Sequence, residues 1–304
     1  MNKIVILMSV YNGEKYIAEQ LESIINQDIV NIELYVRLDG SSDDSLKIIK
    51  TYLDKIPMCV FNENNIGPKK SFWKLLNIAP DADYYAFADQ DDFWFSDKLS
   101  RAISCLENLD QEQPLLYCSA VQPTDEKLNP IVITKKKHLI YTDFPHSLIY
   151  SLSQGCTFVF NREAVRQARK YSMENNFVMW HDWLLHKIVA MMGTVHYDST
   201  PSMYYRQHKN NAIGARSFGL ENFLKRAKNI LTSNECVRSK SAASLRSVYS
   251  DWLKTHPQEK YILDLIADYK TNKVFKKLLI SEKAFKTTAV NDVIRNLLIL
   301  CEKL

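Results

Sequence analysis

Ala88-Asp89-Gln90-Asp91-Asp92-Phe93-Trp94 places three carboxylates directly after the apolar run Tyr84–Ala88. An apolar run closed by an acidic turn reads as a buried strand and the loop leaving its C-terminal end, and open α/β sheets bind ligands at that end. Asp89 and Asp91 are two residues apart, so the loop is able to turn both toward one point. Hard oxygen donors of this kind suit Mg²⁺ or Mn²⁺, with a diphosphate completing the coordination. The plainer alternative is an acidic loop that caps the next helix.

Three further runs precede it: Ile4–Val10, Ile32–Leu38 and Met58–Phe61. Between them lie stretches with helical spacing. Lys15–Gln27 carries Ile17, Leu21, Ile24 and Ile25; Asp43–Lys55 carries Leu46, Ile49, Tyr52 and Leu53; Ser71–Ile78 carries Phe72, Leu75 and Leu76. Alternation of strand and helix with short connections predicts an α/β fold, a mostly parallel central sheet with helices on both faces. Ser41 and Ser42 ahead of Asp43 and Asp44 suit a helix N-terminus, and Pro68 after Asn65-Ile66-Gly67 suits a first helical position.

The middle of the chain is less regular. Leu115–Ala120, Cys156–Asn161 and Thr194–Asp198 read as strands, Asp182–Met192 as a helix ended by Gly193, and Lys135-Lys136-Lys137 as a solvated loop. From Leu220 onward the pattern is helical. Leu220, Phe223, Leu224, Ala227, Ile230 and Leu231 form one stripe with Lys225, Arg226 and Lys228 off it, and further helices are expected around Tyr249, over Tyr261–Tyr269 and over Val290–Leu300. A boundary near residue 217 divides a catalytic domain, 1–217, from a smaller helical region, 218–304.

Charge follows the same division. Residues 220–304 hold 16 Lys/Arg against 9 Asp/Glu, whereas residues 1–219 hold 23 against 26. The acidic front disfavours nucleic acid as a partner. The basic tail suits packing on the catalytic domain, a homodimer interface, or peripheral contact with anionic lipid on the inner face of the cell membrane. Six widely spaced cysteines without a CxxC pair argue against zinc or a disulfide framework and suit a cytoplasmic setting. Ile4–Val10 is too short and poorly flanked for a leader peptide, and no apolar run approaches the roughly 18 residues of a membrane span.

Two other strand ends carry polar chemistry. Asp39 in Arg37-Leu38-Asp39-Gly40-Ser41-Ser42-Asp43 is placed to accept hydrogen bonds from a nucleobase or ribose, or to act as a helix cap. In Ser9-Val10-Tyr11-Asn12-Gly13-Glu14, Tyr11 is placed to pack on a base while Asn12 or Glu14 bonds the nucleoside. The chain has neither GxGxxG after its first strand nor GxxxxGK[ST], which disfavours dinucleotide and P-loop folds.

Taken in order, Ser9-Val10-Tyr11-Asn12-Gly13, Asp39-Gly40-Ser41-Ser42-Asp43 and Asp89-Gln90-Asp91-Asp92 resemble the signature of glycosyltransferase family 2 over about residues 1–215. The resemblance implies the A-type glycosyltransferase fold and inverting transfer from a nucleotide-diphosphate sugar. It also implies that Asp39 contacts the nucleoside, Asp89 the ribose or metal, and Asp91 the metal directly. Gln154-Gly155-Cys156-Thr157-Phe158 resembles the family's acceptor-side glycine segment, which places Gly155, Trp180 and His181 on the acceptor side. Asp182 in Trp180-His181-Asp182-Trp183 falls where the family has its catalytic carboxylate. A helix N-terminus lowers a carboxylate pKa and weakens it as a base, which burial between Trp180 and Trp183 would offset. His181 either orients Asp182 or the acceptor, or simply faces solvent, as most such histidines do.

Arg206-Gln207-His208-Lys209-Asn210-Asn211-Ala212-Ile213-Gly214 concentrates donors in a glycine-ended loop, as a lid over a diphosphate would. His208 is a candidate metal ligand or phosphate contact, and Arg206 a candidate stabiliser of leaving-group charge. Together with Asp-Gln-Asp-Asp-x-Trp, this segment is similar to the bacterial rhamnosyltransferase branch, which uses dTDP-L-rhamnose to build capsule, O-antigen or cell-wall polysaccharide on saccharide or lipid-linked acceptors. The alternatives are a UDP-hexose-dependent transferase and a non-catalytic nucleotide-sugar-binding scaffold. A sugar-phosphate nucleotidyltransferase is disfavoured, because Tyr11-Asn12-Gly13-Glu14 is unlike that class's glycine-rich first loop.

Overall fold

The structure, a computed structural model, describes residues 2–29, 31–132, 140–150, 154–208 and 236–304. The expected loop at Lys135–Lys137, the stripe at Leu220–Leu231 with its lysines and arginine, and residues 209–214 of the donor-rich segment lie outside the described residues.

Eight strands make one sheet: β1 Ile4–Val10, β2 Ile32–Asp39, β3 Met58–Glu63, β4 Tyr84–Ala88, β5 Phe93–Trp94, β6 Leu115–Thr124, β7 Val159–Asn161 and β8 Thr194–Arg206. Their order is β3-β2-β1-β4-β7-β6-β8-β5. The first four pair in parallel, with β1 central between β2 and β4. The strand β7 runs antiparallel to β4 and to β6, and β8 lies parallel to β6. Because β2, β1 and β4 are parallel neighbours, Asp39, Val10 and Ala88 end on one edge, and three loops leave side by side. This is the mixed α/β architecture expected.

Helices cover both faces, and α6 Arg162–Ala168 and α7 His181–Met192 follow β7. Alternate residues of β1 (Ile4, Ile6, Met8, Val10) join Leu34, Val36, Ile17, Leu21, Ile24 and Ile49 in one core with Leu99, Ala102, Ile103 and Leu106. These come from α1 Ile17–Ile25, α2 Ser45–Lys50 and α4 Lys98–Leu106. On the opposite face Phe72 of α3 Pro68–Ile78 packs edge-on against Phe87 of β4, ring centroids 5.3 Å apart. Strands buried on both sides read as continuous apolar runs, which is why β1 and β4 are legible at once. Pro68 takes the first-turn position of α3, as expected.

The strand β8 runs through residue 206, well past the expected end at Asp198. Its second half carries Pro201, a signal that argues against a strand. It is tolerated there because the register with β6 shifts twice, after Ser119 and after Ala120. The consequence is functional: the strand delivers Arg206 and His208 to the loop after β4.

The described residues fall into two compact units. One takes those within Met1–Thr142, Leu152–Arg169 and Trp180–Gly214; the other takes those within Asp143–Ser151, Lys170–Met179 and Ala215–Leu304. The second is helical, built from α5 Phe144–Ile149, α8 Val237–Val248, α9 Ser250–Leu253, α10 Pro257–Asp268, α11 Lys273–Ser281 and α12 Ala289–Leu300. Leu245, Leu263, Ile266, Leu279 and Ile299 form its buried interior. On its surface Arg246 pairs with Asp264 at 2.8 Å and with Asp268. All six cysteines are free, and no described helix is long and apolar enough to cross a membrane.

Candidate active site

The loops after β1 and β2 are bound to each other. Asn12 N–H donates to Ser41 Oγ (3.1 Å), Ser42 N–H to Asn12 Oδ1 (2.9 Å), Gly13 N–H to Ser45 Oγ (2.8 Å) and Glu14 N–H to Asp43 Oδ2 (2.9 Å). Asp44 N–H completes the exchange on Glu14 Oε2 at 2.9 Å. The side chains of Asn12 and Glu14, expected at a nucleoside, thus each accept from the facing loop and fix its shape. Tyr11 is left as the aromatic, 52% exposed at the strand end. Its main chain is held on both sides by Gln90, whose Oε1 accepts from Tyr11 N–H (2.6 Å) and whose Nε2 donates to Tyr11 O (3.0 Å). The loops after β1 and β4 are therefore one unit.

Asp39 is buried at the end of β2. Its Oδ1 accepts from Ile66 N–H at 2.7 Å and pairs with the buried guanidinium of Arg37. Arg37 also donates to Glu63 Oε2 (2.8 Å), Asn64 O (2.7 Å) and Ser71 Oγ (3.0 Å). Gly40 has φ of 77°, and a Cβ there would lie 2.8 Å from Asn65 N, so only glycine lets the two loops approach this closely.

The acidic loop lies between β4 and the two-residue strand β5. His208 Nε2 is 2.7 Å from Asp91 Oδ2, and its ring stacks on Tyr16 with centroids 5.0 Å apart. The structure thus brings together two of the three expected metal ligands, with Asp89 two residues away. Burial and the charges of Asp91 and Asp182 push the Asp89 carboxyl up to about 7. A carboxylate and an imidazole in contact, beside a second carboxyl whose ionised form lacks sufficient compensation, fit a divalent cation such as Mn²⁺.

Arg206 is placed differently from the expectation. Its side chain is 1% exposed. The guanidinium donates to Asp91 O at 2.8 Å, to Glu126 O and to Glu19, and lies 4.5 Å over the Tyr16 ring. It is a buried clamp on the acidic loop rather than a cation facing a diphosphate. Five planar donors satisfy several acceptors at once, which a lysine would not do.

Asp182 is the second residue of α7 His181–Met192. Its Oδ1 accepts from Trp183 N–H (2.8 Å) and its Oδ2 from Gly155 N–H (3.1 Å). Those bonds favour the carboxylate, yet burial outweighs them and raises its pKa to about 6. Gly155, expected on the acceptor side, is in direct contact with Asp182: a Cβ at Gly155 would lie 2.7 Å from Asp182 Cβ. Trp180 is half-buried just before α7. His181 departs from the expectation that it faces solvent. It is buried, stacked on Phe72 at 4.2 Å and edge-on to Phe87 at 5.0 Å, and burial lowers its pKa to about 3. It is a neutral core ring beside Asp182 at the start of α7. Helical geometry explains both placements, since adjacent positions at a helix start point about 100° apart.

Sequence reasoning passed over Lys98, whose Nζ is buried 2.6 Å from Cys156 O. Ligand atoms of Asp89, Asp92 and Cys156 lie within 4.8 Å of one another beside it. The available signal was a lysine in step with Ala102 on the inward stripe of α4, directly after the acidic loop.

The family model Glycosyl transferase family 2 matches residues 5–168. The dTDP-rhamnosyl transferase RfbG of Shigella flexneri is 31% identical over 219 residues, 68% of this chain and 74% of that one. The UDP-Glc:alpha-D-GlcNAc-diphosphoundecaprenol beta-1,3-glucosyltransferase WfaP of Escherichia coli is 33% identical over 107 residues, 35% of this chain and 42% of that one. Among solved structures, S. aureus TarS in complex with UDP-GlcNAc superposes with a TM-score of 0.58 at 17% identity, covering 98% of this chain and 90% of that one. The Pyrobaculum calidifontis mannosyltransferase PcManGT with GDP-Man and Mn²⁺ gives 0.53 at 15% identity over 99% and 85%. Both likenesses are of fold.

Arg206→Met leaves the Asp91 and Glu126 carbonyls and the Glu19 carboxylate without this donor. It should lower unfolding stability by roughly 2–3 kcal/mol, read from a urea titration. Wild-type stability in the variant would mean that the guanidinium is free, as a lid residue would be.

Proposed function

The chain belongs to glycosyltransferase family 2, and from that premise we propose that it transfers L-rhamnose from dTDP-L-rhamnose, with inversion, to a hydroxyl of a cell-surface polysaccharide or its lipid-linked precursor. The observation that carries the chemistry is the Asp182 carboxylate, held by two backbone N–H groups with its pKa raised toward neutrality. The rhamnosyl donor is supported by the similarity to RfbG, which spans two-thirds of the chain. A UDP-hexose donor is the second reading, favoured by the shorter match to WfaP.

The donor's nucleoside belongs at the ends of β1 and β2, with the exposed Tyr11 face against the base and Asp39 at its edge. The diphosphate then extends toward the acidic loop. Asp91 and His208, with Asp89 beside them, would hold Mg²⁺ or Mn²⁺. When bound, that ion neutralises charge on the departing diphosphate.

Asp182 takes the proton of the acceptor hydroxyl as its oxygen forms the new bond to the anomeric carbon. The bond from that carbon to the diphosphate oxygen breaks on the opposite face, and the nucleoside diphosphate leaves with the electron pair. Gly155 and Trp183 N–H fix both oxygens of the base, so little reorganisation accompanies proton transfer. The buried, neutral His181 supports this end of α7 without exchanging protons near neutral pH.

Competition binding tests the donor: dTDP-rhamnose should displace a fluorescent nucleotide better than UDP-glucose does. A clear preference for the UDP-hexose would replace the rhamnosyl assignment by the second reading and leave the family unchanged.

For the cation, Asp91→Asn should weaken Mn²⁺ binding at least about tenfold, measured by the signal of free Mn²⁺ in electron paramagnetic resonance. Unchanged Mn²⁺ affinity in this variant would move the ion elsewhere.

For the base, Asp182→Asn should lower kcat at least about 100-fold with donor affinity retained. The sign of the pH dependence follows from the raised pKa. The carboxylate is the active form, so in saturating Mn²⁺ the wild-type kcat should fall as pH drops through about 6. A pH-independent wild-type kcat down to about pH 5, or near-normal turnover by the Asp182→Asn variant, would assign the proton to another group.

A further inference from the structure

Lys98 is a lysine with no exposed surface and no role in the chemistry described above. Its Nζ lies 2.6 Å from Cys156 O, 3.6 Å from Met203 Sδ and 4.2 Å from the centroid of the Trp94 ring. The carboxyls of Asp89 and Asp92 act on it electrostatically, and it on them. An ammonium removed from water is costly, and an apolar side chain of the same length would fill this volume without that cost. The lysine therefore contributes something that packing alone does not.

Two features define that contribution. The first is charge. Asp92 is wholly buried, its Oδ2 has no hydrogen-bond partner among the described residues, and its carboxyl meets a long 3.4 Å contact from Arg206 N–H to Oδ1 and the Cys156 thiol. Lys98 is the buried cation beside it, packed under the same loop that carries Asp89 and Asp91. The second is connection. Cys156, whose carbonyl accepts from Lys98, lies in the 3₁₀ turn Gly155–Thr157, and Gly155 N–H donates to the Asp182 base at 3.1 Å. The path from Lys98 to Asp182 thus runs through one hydrogen bond, one turn of backbone and a second hydrogen bond. Gly155 and Asp182 approach so closely that a Cβ on the glycine would lie 2.7 Å from Asp182 Cβ, so a movement of the turn is felt at the carboxylate.

We propose that Lys98 is a positioning residue: its buried ammonium fastens the Gly155–Thr157 turn to the underside of the acidic loop and thereby holds Asp182 in register with Asp89 and Asp91. The ammonium stays mainly protonated at neutral pH although burial lowers its pKa to about 8. Trp94 supplies an aromatic face that favours the charged form.

The inference rests on the transferase reading for its kinetic arm only. Lys98→Met keeps the length of the side chain and removes both charge and donor. Its crystal structure should show the Gly155–Thr157 turn displaced and Gly155 N–H beyond hydrogen-bond reach of Asp182. In the same variant kcat should fall roughly 100-fold, the scale expected for misplacing a catalytic group, while KM for dTDP-rhamnose stays near wild type. The loss should vanish in an Asp182→Asn background, because a positioning residue has nothing left to position.

Should Lys98→Met fail to fold, Lys98→Met with Asp92→Asn removes the buried ammonium together with the carboxyl beside it and still lacks the donor to Cys156 O. The same displaced turn and low kcat are expected of it. A variant structure with the Gly155 contact intact overturns the proposal, as does kcat within about threefold of wild type with the turn displaced. If wild-type protein transfers no sugar, the kinetic arm falls with the transferase reading while the structural arm still decides whether Lys98 fastens the turn.

Discussion

Like charge is the constraint around which this end of the sheet is built. Asp89, Asp91 and Asp92 follow one another on a single loop, and the field of Asp182 reaches Asp89 from α7. Carboxylates this close oppose folding unless they are neutralised, protonated or screened. The protein answers each one separately. Asp91 receives His208, Asp92 has Lys98 beneath it, and Asp182 takes two backbone N–H groups. Arg206 holds the loop's main chain instead of its side chains, through the Asp91 carbonyl. The loop is therefore fixed in shape while Asp89 keeps an unfavourable charge, and that remaining imbalance is what the proposed cation would relieve.

How much of this was legible depends on which physical signal each residue carries. Strands β1, β2 and β4 announce themselves because burial on both faces demands unbroken apolar runs, and their parallel pairing then fixes where Asp39 and Asp89 emerge. Asp182 was placed by the ordered motifs together with a helix start. Side-chain partners are another matter. Arg206 and His208 are two residues apart in a basic, glycine-ended segment that looks solvated, yet one guanidinium is buried and the ring stacks on Tyr16. Nothing local marks that outcome, because the partners Glu19, Asp91 and Glu126 lie 80 or more residues away.

His181 and Lys98 are misleading for the same reason. Each is polar and sits at a helix start next to an acidic residue, where solvent exposure is the ordinary expectation. Their fates are set by the helical phase against a core that the local sequence does not describe. His181 falls under Phe72 and Phe87, and Lys98 falls under Trp94. A histidine tolerates this by becoming neutral, whereas a lysine requires nearby carboxylates and a carbonyl, and finds them. The length of β8 was hidden by Pro201 and by the register shifts that accommodate it.

The two ends of the site differ in how far they are prepared before any ligand arrives. At the proposed nucleoside end Asn12, Glu14, Asp39 and Arg37 are bonded to neighbouring loops, so recognition there would rely on a preformed surface with Tyr11 as its open face. Preformed surfaces bind with small ordering cost but discriminate only by shape and by the few groups left open. At the proposed phosphate end the geometry is equally fixed but the electrostatics are incomplete, since the carboxyls exceed the cations facing them. Neither a free diphosphate nor an isolated cation corrects both deficits: the first adds negative charge, and the second leaves the nucleoside surface empty. On the proposed reaction, a nucleotide sugar arriving with its cation satisfies the two ends together. Affinity for either component should then depend on the presence of the other, a coupling that follows from charge alone and requires no movement of the fold.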